Sequence, residues 1–364
     1  MKTAPAQQTL AWAPCDKVDA MKIEEAQRLW AAKPGWLNTA SYGLPPRPAW
    51  DALQTALAEW QIGAVSWEGW DEATASSREV FARMVGVTSA DVAVGAQVSQ
   101  LIAPVAAAVP SGARVVAPDI EFTSNLFPWL VHQDRLNVVT VPTGCMIDSI
   151  MTGCDVVAFS LVQSATGEVA DYAQIVDAAR AVGAMVVVDA TQACGWLPFD
   201  ASLADVVTVA AYKWLMSPRG SAFAYVSPTV RESMRPLAAG WYAGPEAHSA
   251  FYGPPLRLAT DARRFDLSPA WFSWVGTEPA LTVLEQIGIP AIHDHNVTLA
   301  NRFLTGLGRP PGNSAIVTID LPDAASKLKA AGVRAAVRGG LLRASFHVYT
   351  TDSDVSMALD ALLG

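Results

Sequence analysis

Residues 185–220, MVVVDATQACGWLPFDASLADVVTVAAYKWLMSPRG, decide how the rest of the chain is read. Two apolar, β-branched runs, Met185–Val188 and Val206–Val209, have the composition of strands buried on both faces of a parallel sheet. Each delivers one polar residue past its C-terminal end: Asp189 after the first, and Lys213 after the second, through Ala210–Tyr212. The carboxyl edge of an open α/β sheet is where such folds bind ligands. Either residue alone has an ordinary explanation, Asp189 as a strand-end cap and Lys213 as a surface lysine. As an ordered pair on consecutive buried strands, they are what pyridoxal phosphate chemistry requires. The amine forms a Schiff base, and the carboxylate keeps the pyridine nitrogen protonated so that the ring accepts electrons.

The totals agree with a folded enzyme. At 364 residues the chain exceeds one typical core, so one large and one smaller domain are expected. With 51% hydrophobic and 16% charged residues it has ample core and no signature of disorder. A formal charge of -9 without a basic run argues against nucleic acid as partner. The four cysteines, Cys15, Cys145, Cys154 and Cys194, show no metal-ligand spacing and read as reduced thiols, which points to a cytoplasmic protein with no metal site. No run is long enough to span a membrane. Residues 1–20, rich in Pro, Ala and Gln, lack the apolar heart of a secretory signal and read as a weakly structured extension.

From Asp91 onward strands and helices alternate. Strands are predicted at Asp91–Val94, Arg114–Ala117, Asn137–Val141, Asp155–Ser160, Met185–Val188, Val206–Val209 and Ala222–Val226. The clearest helix, Ala170–Ala181, is stopped by Gly183. Upstream, helical spacing appears at Ile23–Ala32, Trp50–Trp60 and Glu72–Val85, with a tryptophan-rich loop over Ser66–Trp70. Downstream, a turn at Val275-Gly276-Thr277 precedes helices Glu278–Ile287 and Pro290–Leu307. The tail then reads strand Ala315–Ile319, helix Ala324–Ala331, strand Leu341–Tyr349 and helix Ser353–Leu363. The expected fold is therefore α/β: a large domain with a seven-stranded, mostly parallel sheet, and a small α+β C-terminal domain. The divisions are an extension over 1–20, a segment over 21–45 packing on the small domain, a large domain over 46–270 and a small domain over 271–364.

Four stretches resemble the class V aminotransferase and cysteine desulfurase family of fold-type I pyridoxal-phosphate enzymes. They are VVDATQ at 187–192 with Tyr212-Lys213-Trp214, EFTSNLFPW at 121–129, VGAQVSQ at 94–100 and RASFHVYTT at 343–351. The resemblance implies Lys213 as the Schiff-base lysine, Asp189 against the pyridine nitrogen and Gln192 near the phenolic oxygen. Phe122 stands where the family stacks a residue on the ring. It keeps the stacking face but carries no proton, so it is not an acid or base. Ala96 and Gln97 fall in the phosphate turn, where backbone N–H groups suit a dianion. There, and at Ala210, the family's usual hydroxyls are missing, and Tyr212 is a further phosphate donor. Ser164 takes the place of an asparagine beside the phenolic oxygen, or is an ordinary turn residue. Arg343 receives the substrate α-carboxylate, its planar fork matching a carboxylate, or else makes a surface salt bridge.

Tyr42, in the Gly/Pro-rich segment Trp36–Pro46, is a possible substrate contact, and the segment equally a linker. The family's Gly-Thr turn reaches the phosphate of a second subunit, so the match at Gly276 and Thr277 implies a homodimer; a helix N-cap satisfies the same residues. Trp67, Trp70, Trp241 and Tyr242 read as pocket lining or as packing, and His248 and His347 as weaker substrate contacts.

The stretch Val337–Leu342 lacks the loop cysteine that gives desulfurases their persulfide. The expected activity is on an α-amino acid, through an external aldimine and a Cα carbanion. β-Elimination of the C–S lyase kind is preferred, with transamination or epimerisation as alternatives. A non-catalytic relative that kept the fold is the rival reading, favoured by the hydroxyls lost at 96 and 210.

Overall fold

The computed structural model describes residues 20–364; Cys15 and the rest of the extension lie outside them. Seven strands form the main sheet: β1 (Val92–Gly95), β2 (Arg114–Pro118), β3 (Asn137–Val141), β4 (Val156–Ser160), β5 (Met185–Asp189), β6 (Val206–Ala210) and β7 (Ala222–Val226). Their order is β1-β7-β6-β5-β4-β2-β3. β7 runs antiparallel to both neighbours and the remaining pairs are parallel. Strands β4 to β7 are Val/Ala-rich and buried throughout apart from Met185, as expected for a sheet covered on both faces. Register places Ser160, the last residue of β4, beside Asp189, the last of β5, and Asp189 beside Thr208 within β6.

The helix Tyr172–Val182 is capped by Asp171, whose side chain accepts from the Gln174 amide, and ends on Gly183 at φ +74°. That left-handed position strains any residue with a Cβ, which is why the helical pattern stops there. The helix expected from Glu72 begins a turn earlier, at Glu68, so the tryptophan-rich loop is mostly helix. Near the N-terminus, Ile23–Ala26 is α-helical and Gln27–Leu29 a 3-10 turn, shorter than the apolar spacing suggests.

Two expectations are corrected in the C-terminal third. Val275-Gly276-Thr277 is not a turn: helix Trp271–Ile287 runs straight through it. Gly276 sits where a Cβ would lie 2.6 Å from Cγ of Pro218, so glycine serves close packing there. The last long strand is also shorter than expected. β10 (Leu341–Ser345) ends before His347, where the chain turns back with the Thr350 amide donating to the His347 carbonyl. β10 lies between β8 (Ile316–Ile319) and β9 (Ala336–Arg338), an edge strand too short to show in the sequence.

Trp274, Leu281 and Leu284 join the core that includes Val188 and Val209. The core of the smaller unit gathers Leu299, Phe303, Leu328, Phe346 and Val355, together with Leu37 from the N-terminal segment. That segment is a strap between the two. Trp36 bridges Arg334 and Asn38 bridges Ser345 in the small unit, while the Gly43 amide donates to the Tyr212 carbonyl in the large one. A Cβ at Gly43 would collide with the Lys213 carbonyl. A buried ion pair fastens the other side. Arg78 donates to both carboxylate oxygens of Asp266 at 3.2 and 2.6 Å, and Asp266 also accepts from the Val94 amide of β1 at 2.8 Å.

Candidate active site

The carboxyl ends of β4, β5 and β6 open into a cavity lined by Ser160, Asp189, Gln192, Lys213, Phe122 and Gln97, among others. Asp189 closes β5, where the ladder ends and its side chain is free to face the cavity floor. It is 4% exposed, and its Oδ1 accepts from the Thr191 amide at 2.9 Å. Burial pushes its carboxyl above the usual range, opposed by the Thr191 hydrogen bonds and the Lys213 charge.

Lys213 stands three residues beyond β6. Its amine is buried, 5.1 Å from the centroid of the Phe122 ring and 5.7 Å from that of Tyr212. Burial brings its pKa down to about 8, with Asp189 pulling the other way. A minor but substantial fraction of it is therefore neutral near physiological pH, the form that attacks a carbonyl. Phe122 is the N-cap residue of helix Thr123–Leu130 and is 42% exposed, so its ring is presented to the cavity rather than packed into the core.

Glu121, just before it, explains that placement. Its carboxylate is buried and accepts from the Ser160 amide at 2.7 Å, the Ser160 hydroxyl, the Phe122 amide at 2.8 Å and Gln163 Nε2 at 3.2 Å. It ties the helix start to the end of β4, and burial raises its pKa against the Ser160 hydrogen bond.

Gln192 and Ser164 are in direct contact. Gln192 Nε2 donates to Ser164 Oγ and to the Ala40 carbonyl, both at 3.0 Å, and its Oε1 accepts from Trp214 Nε1 at 2.8 Å. Arg343 lies on the other side of Ser164. It is 1% exposed, donates from Nη1 to the Ser164 carbonyl and, at 3.2 Å, to its hydroxyl, and from Nη2 to Ser41 Oγ at 3.1 Å. Its Nε has no partner. Burial, with Arg338 nearby, brings its pKa down to about 10. Among the described residues no carboxylate pairs with it, so the surface salt bridge is not what holds it.

Other expected residues are placed differently. Ala96 does not line the cavity; its amide donates to Gln100 Oε1 of the following helix, Val98–Ala108, at 2.9 Å. Gln97 and Val98 line it instead, at the start of that helix. Thr277 is fully buried within its own chain. Its hydroxyl donates to the Ser273 carbonyl at 2.7 Å and lies 2.8 Å from Ser221 Oγ, so its hydrogen bonds are made within the chain. Tyr42 lines a neighbouring open cavity with Trp50, Tyr212 and Arg219, not the one around Lys213.

Trp67 and Trp241 pack with Trp271 and His248 around Asp71, which accepts from Tyr242 Oη at 2.7 Å and Trp271 Nε1 at 3.1 Å, and Trp70 leans on Trp271. None of these residues lines the cavity either. His347 is buried, its Nε2 2.9 Å from the Trp214 carbonyl, and burial drives its pKa down to about 3. It is a neutral ring that holds the backbone beside Lys213. Cys154 and Cys194 are buried and Cys145 is exposed; none lines the cavity.

Arg219 escaped the sequence reading. It lines both cavities, its guanidinium lies 4.5 Å from the centroid of the Tyr212 ring, and no carboxylate pairs with it among the described residues. The signal was a cation six residues after Lys213 in a Pro/Gly turn, Ser217-Pro218-Arg219-Gly220.

Comparison with known proteins agrees with this geometry. The family model for class-V aminotransferases matches residues 68–326. The chain belongs to the class V aminotransferase family. This family member is 26% identical over 353 residues to an uncharacterized aminotransferase of Bacillus subtilis, covering 90% of this chain and 93% of that one. It is 25% identical over 389 residues to the isopenicillin N epimerase of Streptomyces clavuligerus, covering 90% and 94%. Among solved structures, the cystine C-S lyase C-DES in complex with cysteine persulfide superposes with a TM-score of 0.81 at 19% identity, covering 91% of this chain and 97% of that one. The Escherichia coli cysteine desulfurase CsdA superposes with a TM-score of 0.79 at 20% identity, covering 94% and 98%. The fold is that of fold-type I enzymes, and the protein is an enzyme that uses pyridoxal phosphate. The cavity fits that cofactor: a buried amine, a buried carboxylate, an exposed aromatic face and a cation without an acidic partner converge there. Among the described residues no helix is long and apolar enough to cross a membrane.

Proposed function

We propose that this class V enzyme binds an α-amino acid through Arg343 and breaks a bond at its β-carbon, in a C–S lyase type of β-elimination. The observation that carries the substrate reading is Arg343: a buried guanidinium with no carboxylate partner among the described residues, bonded to Ser164, which lines the lysine cavity. A substrate carboxylate supplies the missing charge in the planar geometry a guanidinium favours.

In this reading Lys213 holds the cofactor covalently, Asp189 faces its ring nitrogen and Phe122 covers one ring face. Gln192 and Ser164 border the phenolic oxygen. Gln97 and Val98, at a helix N-terminus, and the Arg219 guanidinium take the phosphate in place of the hydroxyls missing at 96 and 210. Pyridoxal phosphate, when bound, carries the amino acid and accepts the electron pair released at Cα. Lys213 Nζ, freed on substrate binding, takes the Cα proton. Its lowered pKa suits a base that works near neutrality, and Phe122 offers no competing group. With an S-substituted cysteine, one C–S bond breaks, the proton goes to the leaving sulfur, and one water is consumed to give thiol, pyruvate and ammonium. The absence of a cysteine in the β9–β10 hairpin supports release of sulfur rather than its capture on the enzyme.

Incubation of the holoenzyme with S-substituted cysteines, assayed for pyruvate, tests the reading. Pyridoxamine phosphate formation without pyruvate would replace it with transamination.

A further inference from the structure

A second arginine converges on the same atom as Arg343. In the β9–β10 hairpin Arg338 pairs with Leu341 and Ala336 with Arg343, so these four side chains project from one face of the small sheet. The two-residue turn between them, Gly339 at φ +55° and Gly340 at φ +83°, uses the left-handed conformation that keeps such a hairpin tight. Ser41 Oγ accepts from Arg343 Nη2 at 3.1 Å and from Arg338 Nη2 at 3.3 Å, while donating to Asn38 Oδ1 at 2.7 Å. Two cations thus meet on one uncharged oxygen, and among the described residues neither has a carboxylate within ion-pair distance. The Arg338 charge is felt at both Arg343 and Lys213. Two like charges brought together without a counter-ion repel, and only an anion arriving from outside relieves both.

Resting on Arg343 as the seat of the α-carboxylate, we propose that Arg338 selects substrates whose side chain ends in a second carboxylate. One α-carboxylate occupies Arg343. A second acid group a few bonds away meets Arg338, whose guanidinium is exposed, donates to the Val337 carbonyl at 2.8 Å and shares Ser41 Oγ with Arg343. A neutral side chain leaves that cation solvated and makes no use of it.

The test compares unreactive acids on the holoenzyme by calorimetry: succinate, glutarate and adipate against butyrate and valerate. The wild type is expected to bind the best diacid about five- to tenfold more tightly than the monoacids, the range for a partly exposed, charge-assisted pair. Arg338→Gln should bring that ratio close to one, weakening the diacids far more than the monoacids, and Arg338→Glu should turn it in favour of monoacids. Equal binding of diacids and monoacids by the wild type, or a ratio that survives Arg338→Gln, overturns the assignment of Arg338 and leaves Arg343 untouched. Failure of every acid to bind overturns both.

Discussion

Replacing Arg343 with methionine should make the substrate-free holoenzyme more stable while abolishing carboxylate binding. Burial, with Arg338 nearby, holds the guanidinium at about 10, well below the ordinary arginine range, which at about 1.4 kcal/mol per pKa unit corresponds to about 3 kcal/mol of unfavourable charge. Because the folded-state pKa is the lower one, this penalty is in full force below about pH 10 and is relieved only as pH rises toward the ordinary arginine range. It is therefore present under any ordinary assay condition. Against it stand the hydrogen bonds that methionine removes. Ser41 Oγ keeps its bond to Asn38 and Ser164 Oγ keeps its bond from Gln192. The Ser164 carbonyl is left alone, at a cost of about 1–2 kcal/mol. The charge term exceeds the hydrogen-bond term, so Arg343→Met should raise Tm by about 2 °C in scanning calorimetry, roughly 1 kcal/mol for a chain of this size. A carboxylate ligand should raise Tm further in the wild type and leave the variant unmoved. A variant that melts several degrees lower, or that still gains stability from the ligand, would show that Arg343 is a structural strut and that the reasoning is wrong.

Lys213→Ala should abolish the visible absorbance of covalently held cofactor, leaving protein that binds pyridoxal phosphate reversibly and loses it on dialysis. The rate at which apoenzyme captures the cofactor aldehyde should climb about tenfold per pH unit below about 8 and level off above it, because only the neutral amine attacks; stopped-flow absorbance across pH 6–10 reads this. Arg219→Gln should weaken cofactor affinity by about tenfold or more, measured by titration of apoenzyme, and should do so for the phosphate ester but not for unphosphorylated pyridoxal. Asp266→Ala strands a buried guanidinium at Arg78 and should cost about 3–5 kcal/mol in urea unfolding, whereas Arg83→Ala at the exposed pair with Glu285 should cost less than about 1 kcal/mol.

The main sheet was readable because its strands are short, largely apolar and β-branched runs, and in β4 and β5 the polar residue stands last. Asp189 and Lys213 announce themselves by interrupting such runs. The reading failed where the deciding contact is remote in sequence. Gly276-Thr277 has turn composition, yet the helix through it is set by packing of Gly276 on Pro218 and of Trp274 and Leu281 on the sheet core. Ala96 sits in the stretch that resembles a phosphate turn, but Gln100 claims its amide from one helical turn away. Tyr42 and Trp67 are aromatic residues in polar surroundings, and nothing local says which of two neighbouring hollows, or which acidic residue, they will face. Arg219 and Arg338 were silent for the opposite reason. A lone arginine in a glycine-bearing turn is ordinary, and only the three-dimensional absence of an acidic neighbour marks it.

Residues 36–44 contribute no strand to either sheet, and yet they supply the Ala40 carbonyl to Gln192, the Ser41 hydroxyl to two arginines and a side-chain-free surface at Gly43 against the lysine backbone. An engineer who shortened the protein by keeping only the visible sheets and helices would discard the groups that hold Gln192 and both arginines in place. Trimming or permuting the chain with its function intact therefore means carrying this short ribbon along, whatever else is cut.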